Sequence, residues 1–178
     1  CVEESERVLR ILNTLMDVAE AETGMMKLRR EPSDLATLLR EVVELYSVVA
    51  EDRKVRVTVE GLSRCDVSVD PNRLRQVFAN VVDNAIDAVR GRKNPHIAVR
   101  AALIGAELEI SVADNGPGIS SHYSKNIFNP FVSHKFSSGL GLPICREILQ
   151  LHRGTIAYRP AIDSKPGYFE LVFPLQDK

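Results

Sequence analysis

Apolar residues recur at three- and four-residue intervals over 3–28 and again over 35–51, then switch to every second position over 55–59. In the first stretch Val8, Ile11, Leu12, Leu15, Val18, Ala19 and Met26 form one stripe. Glu4, Glu6, Arg10, Asp17 and Glu20 occupy other positions. This predicts a single amphipathic helix over 3–28. Such a helix must bury its stripe, against the domain that follows, a second copy of the chain, or a helix outside it. The pattern is that of a bundle seam, and a helical-hairpin dimer is the expected arrangement. Residues 29–34, polar and containing Pro32, form the expected boundary. Ser33 or Asp34 can cap the next helix, whose stripe is Leu35, Leu38, Leu39, Val42, Leu45 and Val49.

Val55, Val57 and Val59 alternate with Arg56 and Thr58, predicting a half-buried strand, and 67–69 is a short second one. Pro71 opens a helix that runs to about Arg90 and is ended by Gly91. Strands follow over about 96–103 and 107–113, joined at Gly105-Ala106. The segment 114–139, rich in Gly, Ser, Asn and Pro, has one short helical stretch near 124–128. A loop of more than about 20 residues in a compact domain is usually functional. A helix over 141–151 and strands near 154–159 and 168–173 complete the chain. Helices and strands are intermixed rather than strictly alternating. The expected fold is a two-layer α/β sandwich, a mixed sheet covered by helices on one face, preceded by one long amphipathic helix.

The composition narrows the function classes. Hydrophobic residues are 44% of the 178, enough for one core, and charged residues are 26% with a net charge of −1. That balance supplies neither the basic footprint of a nucleic-acid binder nor a polybasic membrane anchor. No apolar run approaches the about 20 residues of a bilayer span. The chain opens on Cys1 rather than Met, as expected of a fragment, so a membrane attachment is expected only through upstream segments. Cys1, Cys65 and Cys145 are far apart and fit unpaired thiols of a reducing cytoplasm. His96, His122, His134 and His152 lack metal-ligand spacing. Trp is absent and aromatics are sparse, which argues against a base-stacking platform.

Three motifs carry the candidate chemistry. On the 72–90 helix, Asn80, Asn84 and Asp87 share one face. An amide oxygen fixed on a helix is a suitable hard ligand for Mg²⁺, although an Asn on a solvated face is equally ordinary. Asp114 ends an alternating strand and precedes Asn115-Gly116-Pro117-Gly118-Ile119. A carboxylate there can accept from an exocyclic adenine amine, and glycines allow close approach to a flat base; the bland reading is a turn. Gly139-Leu140-Gly141-Leu142 leads into the 141–151 helix, whose first N–H groups form an anion site or, blandly, a hinge. Lys135 stands just before it as a point charge for a terminal phosphate. Ser133, Ser137 and Ser138 add hydroxyls, and Phe128, Pro130 and Phe131 can anchor the loop as a lid.

Jointly these residues resemble the Bergerat ATP-binding domain shared by sensor histidine kinases, type II topoisomerases, Hsp90 chaperones and MutL-type repair proteins. Asn80-Val81-Val82-Asp83-Asn84-Ala85 is similar to the N box, 114–119 to the G1 box, Phe128-Asn129-Pro130-Phe131 to the F box and 139–142 to the G2 box. The run from Leu12 to Val18, followed by Glu22-Thr23-Gly24, resembles the second helix of the histidine-kinase dimerisation domain. The resemblance therefore implies residues 1–28 as that helix and 29–178 as the ATP-binding domain. In the hydrolysing branches a Glu that activates water stands four residues before the metal Asn; Asn80 is an amide and no base at neutral pH.

The resemblance implies Asn84 as the Mg²⁺ ligand with Asn80 on the phosphate side, and Asp114 on the adenine amino group. Gly116 and Gly118 would shape the base pocket, with Ile119 as its apolar wall. Gly139, Leu140, Gly141 and Leu142 would hold the phosphates. Asn80 and Lys135 are the residues expected at the reacting end. The segment 131–138 resembles the compact lid of nitrogen- and oxygen-sensing kinases, with Ser133-His134-Lys135 where Thr-Thr-Lys is usual. Asp87 and Ala88 replace a Lys-Tyr pair, which leaves Lys135 to supply the missing cationic contact.

The implied activity is γ-phosphoryl transfer from ATP to a histidine on a helix that precedes residue 1, then to an aspartate on a response-regulator receiver domain. The full-length protein would be a homodimer through the helical bundle, with this portion cytoplasmic. The alternatives are a hydrolytic ATPase module, a degenerate dimerising scaffold and a serine-kinase anti-sigma factor.

Overall fold

Leu108, Ile110 and Val112 of one strand and Phe169, Leu171 and Phe173 of its antiparallel neighbour point to the same side and are all buried. The residues between them, Glu109, Ser111 and Glu170, take the other face, as a pleat of period two requires. The computed structural model describes residues 2–61, 64–132 and 139–175. Its elements run α1 (Val2–Glu22), β1 (Glu31–Asp34), α2 (Leu35–Leu45), α3 (Ser47–Asp52), β2 (Arg56–Gly61), β3 (Asp66–Val69), α4 (Pro71–Ala88), β4 (His96–Ile104), β5 (Glu107–Asp114), α5 (Ser121–Ser124), α6 (Gly141–Leu151), β6 (Thr155–Arg159) and β7 (Tyr168–Pro174). The main sheet has five strands in the order β2-β4-β5-β7-β6. Only β2 and β4 pair in parallel; the other neighbours are antiparallel. α4 and α6 pack over its apolar face, with α2 against α4, and Phe78 of α4 meets Phe173 of β7 edge-on at 6.3 Å. This is the expected two-layer α/β sandwich with a mixed sheet.

Four local expectations change. α1 stops at Glu22 rather than running to 28. Gly24 takes φ +69°, and the N–H groups of Met25 and Met26 both donate to the Glu20 carbonyl, at 2.8 and 3.0 Å; a left-handed glycine ends a helix in this way. The polar boundary is in part a strand, β1, which pairs antiparallel with β3. The 35–51 helix breaks at Tyr46 into α2 and α3. The short helix in the long loop is α5 at Ser121–Ser124, not 124–128.

Caps set the helix starts. Asp34 caps α2 by accepting from the Ala36 N–H at 3.2 Å, and it also takes the Cys65 N–H at 2.7 Å and the Thr37 hydroxyl. Burial raises this carboxyl, but those donors outweigh it and hold the pKa below the usual carboxylate value. Asp70, buried, caps α4 by accepting from the Asn72 and Arg73 N–H groups, both at 3.1 Å, and from Arg29 N–H at 2.9 Å.

The stripe of α1 is divided. Leu15, Val18 and Ala21 pack toward the core, with α6 as the facing helix, and Met26 follows them into it. Arg73 of α4 donates to Asp17 at 2.7 Å and Gln76 donates to its other oxygen at 2.8 Å. Val8, Leu9 and Leu12, earlier in the helix, and Met16 beside Leu15 are all more than half exposed.

Candidate functional site

α4 supplies two half-buried amides one turn apart, because the 3.6-residue period puts Asn80 and Asn84 on one side while Val77, Val81, Val82 and Ala85 fill the core. Asn80 donates through Nδ2 to the Gly141 carbonyl at 3.3 Å and lies 3.6 Å from Cys145 Sγ. Burial pushes the Cys145 thiol up to about 12, so beside Asn80 it is an inert filler. Asn84 makes no side-chain hydrogen bond with the described residues. Asp87, expected on the same face, is instead held by Arg53 at 3.0 Å and Arg90 at 2.9 Å.

Asp114 closes β5 opposite Ile97. Its Oδ1 accepts from the Gly116 N–H at 2.8 Å. Burial pushes this carboxyl above its ordinary value, opposed only in part by the Gly116 N–H and the nearby Arg92. A desolvated carboxylate whose second oxygen has no protein donor among the described residues is an acceptor for a ligand N–H. A Cβ on Gly116 would stand 2.6 Å from Asp114 Oδ1 and 2.7 Å from the Ala88 carbonyl, so only glycine fits the turn. Asn115 is structural. Its Oδ1 accepts from His96 N–H and its Nδ2 donates to Asn94 O, both at 2.9 Å, which fastens the motif to the start of β4. Arg92 adds a contact from Nε to the Asn115 carbonyl at 2.9 Å.

Gly118, at φ +72°, turns the chain so that the N–H of half-buried Ile119 donates to Tyr158 Oη at 3.0 Å. Tyr158 and Arg92 are the residues of this region that sequence reasoning missed. Tyr158 reads as one interior position of a strand, and nothing nearby in sequence marks its hydroxyl.

The third motif starts α6. Gly139, at φ +68°, sits so close to Phe131 that a Cβ would lie 2.7 Å from its carbonyl carbon. Phe131 N–H donates to the Gly139 carbonyl at 3.0 Å. The two ends of the 131–139 loop are thereby pinched together. Leu140 is buried, Leu142 packs against the core, and no side chain among the described residues caps the first turn of α6. Lys135 lies outside the described residues, as do Ser133, His134, Ser137 and Ser138. Asn80 therefore joins the first motif to the third, while the second borders the C-terminal end of α4 through Gly116 and Ala88. A hollow of about 420 Å³ opens beside Asn115 and Gly116 against the 161–166 turn, and a smaller one of about 70 Å³ lies by Arg30 and His152. Asn80, Asn84 and Asp114 line neither. Among the described residues no cluster of three or more His, Cys, Asp or Glu could hold a metal, and no helix is long and apolar enough to cross a membrane.

The α/β sandwich with paired amides, a glycine-flanked carboxylate and a glycine-led helix defines a nucleotide-binding domain. The chain belongs to the histidine kinase-, DNA gyrase B- and HSP90-like ATPase family, whose model matches residues 69–177. It is 34% identical over 180 residues to the alginate biosynthesis sensor protein KinB of Pseudomonas aeruginosa, a match covering 97% of this chain and 29% of that protein. Among solved structures, the catalytic domain of histidine kinase ThkA superposes with a TM-score of 0.74 at 29% identity, over 84% of this chain and 97% of that one. Full-length ShkA in complex with AMPPNP gives 0.86 at 25% identity, over 99% and 37%. The chain spans only 20–36% of the length of the first curated relatives it matches.

Proposed function

We propose that this chain is the ATP-binding kinase portion of a sensor histidine kinase, passing the γ-phosphoryl group of ATP to a histidine on a bundle helix for relay to a response-regulator aspartate. The observation that carries this reading is the Asn80 amide, committed to the Gly141 carbonyl across the N and G2 motifs. It joins two parts of a phosphate site and cannot take a proton from water. That suits transfer to a protein acceptor over hydrolysis, because phosphoryl transfer is mainly positioning and charge stabilisation.

The geometry supports a role for each motif in this reading. Asp114 accepts from the adenine amine, with Gly116, Gly118 and Ile119 shaping the base pocket. Gly139, Leu140, Gly141 and Leu142 bring the first N–H groups of α6 to the phosphates. The Asn84 amide fits Mg²⁺, a hard ion that takes one or two protein oxygens and shares the rest of its shell with phosphate and water. Bound there, the ion would neutralise charge on the triphosphate. Lys135 is assigned to the terminal phosphate by resemblance, and Lys135→Ala should lower ATP affinity.

Residues 1–28, helical over Val2–Glu22, act as the second helix of the dimerisation hairpin, and 29–178 as the ATP-binding domain. The exposed Val8, Leu9, Leu12 and Met16 support pairing of that helix within a homodimer. This portion works in the cytoplasm, with any membrane attachment through upstream segments. The test is calorimetric titration with ATP, with and without Mg²⁺, coupled to phosphate release. Mg²⁺-dependent binding without turnover, and phosphohistidine once an acceptor helix is supplied, are the expected results. Rapid phosphate release would shift the assignment to a hydrolytic ATPase, and absence of binding to a degenerate scaffold.

A further inference from the structure

We infer that Tyr158 is a positioning residue for nucleotide binding, acting through the Ile119 main chain to hold the base-pocket turn in place. Its hydroxyl oxygen accepts the Ile119 N–H at 3.0 Å across 39 positions of sequence. Two glycines make room for it. A Cβ on Gly118 would lie 3.3 Å from the Tyr158 hydroxyl, and one on Gly167 would lie 2.3 Å from it and 2.9 Å from the ring carbon that bears it. The ring packs at 5.4 Å against Phe169 of β7, whose side chain is buried. The hydroxyl is thus fixed by the rigid β6–β7 pair rather than carried on a loop.

The opposite end of the same turn is fastened by Arg92 on the Asn115 carbonyl. Between these two fasteners lie Gly116, Pro117 and Gly118, residues with little side-chain packing of their own. Without the Tyr158 hydroxyl the Ile119 N–H loses its acceptor and the Gly118–Ile119 peptide is held less firmly. The apolar wall and the Asp114 carboxylate then no longer hold one geometry, and a pocket that must order itself on binding loses affinity.

This inference rests on the placement of the base at Asp114, so the experiment separates the two. Wild type, Tyr158→Phe and Asp114→Ala are titrated with Mg²⁺-ATP and Mg²⁺-ADP. Tyr158→Phe keeps the ring on Phe169 and removes only the oxygen. It should weaken ATP and ADP by the same factor, about five- to tenfold. Their affinity ratio should stay at the wild-type value, because the fault lies at the base and not at the terminal phosphate. Wild-type affinity in Tyr158→Phe, with Asp114→Ala weakened, overturns the positioning role alone. Loss of ATP affinity with ADP unaffected also overturns it. Wild-type affinity in Asp114→Ala removes the base-pocket placement itself.

Discussion

The Asn80 amide and the Gly141 carbonyl, 3.3 Å apart, join the middle of α4 to the first residue of α6 across 61 positions of sequence. Removing that bond by Asn80→Ala should cost about 1 kcal/mol of stability. It should also separate two halves of the phosphate end of the site. Differential scanning fluorimetry with and without Mg²⁺-ATP would show it: the ligand-induced rise in Tm should shrink more than the apo Tm falls.

Asn84 offers a cleaner separation. Its side chain has no hydrogen bond to lose among the described residues, so Asn84→Ala should change apo stability by no more than about 0.5 kcal/mol. ATP binding should lose its Mg²⁺ dependence in the same variant. Calorimetry with and without the metal reads this directly, and an undiminished metal effect would remove Asn84 from the ligand set.

Asp114 trades stability for binding. Its carboxyl is pushed up by burial, so the folded state holds a proton more readily than the unfolded one. The sign follows: the associated stability is complete below the unfolded value near 3.8 and is lost as pH rises through the higher folded value. At neutral pH the ionised carboxylate is therefore a burden on the apo fold. Asp114→Asn, which keeps an Oδ1 for the Gly116 N–H, should leave urea stability at pH 7 unchanged or raised. It should weaken ATP by about 100-fold, because a donor now faces the adenine amine.

His152 makes acid sensitivity local. It is buried, its Nδ1 lies 2.7 Å from the Ile148 carbonyl and its Nε2 accepts from Asp70 N–H at 3.0 Å. Nδ1 must carry the proton and Nε2 must stay bare. Burial is the main cause that lowers its pKa, with Arg30 adding to it, against the Ile148 carbonyl and Asp70, which raise it. The unfolded chain takes up a proton near 6.5 and the folded chain only at lower pH, so stability is lost as pH falls through that window. Urea unfolding at pH 7.5 and 5.5 should show this slope, and His152→Gln should flatten it.

Gly139→Ala tests the pinch of the loop. The new methyl would meet the Phe131 and Val132 backbone at 2.7–2.9 Å, in a left-handed conformation that alanine resists. A loss of about 2 kcal/mol or more is expected, measured by urea denaturation.

Much of this was legible in the chain. Strand alternation at Leu108, Ile110 and Val112, the stripe of α4 and the order of the three motifs are local patterns. Each depends only on a repeat of two or 3.6 residues, or on glycines beside a carboxylate or a helix start. Those features set the sandwich, the ATPase family and the candidate site residues.

Other features needed distant partners. The polar connector becomes a strand only because Pro32 comes to lie opposite Ser68 of β3, 36 positions away. Asp87 went to Arg53 rather than toward the site, and Tyr158 reached Ile119, by contacts between side chains and groups dozens of residues away. A repeat in sequence specifies which face of an element is apolar. Which hydroxyl, amide or guanidinium meets a given backbone group depends on where the elements dock, and only the assembled core decides that.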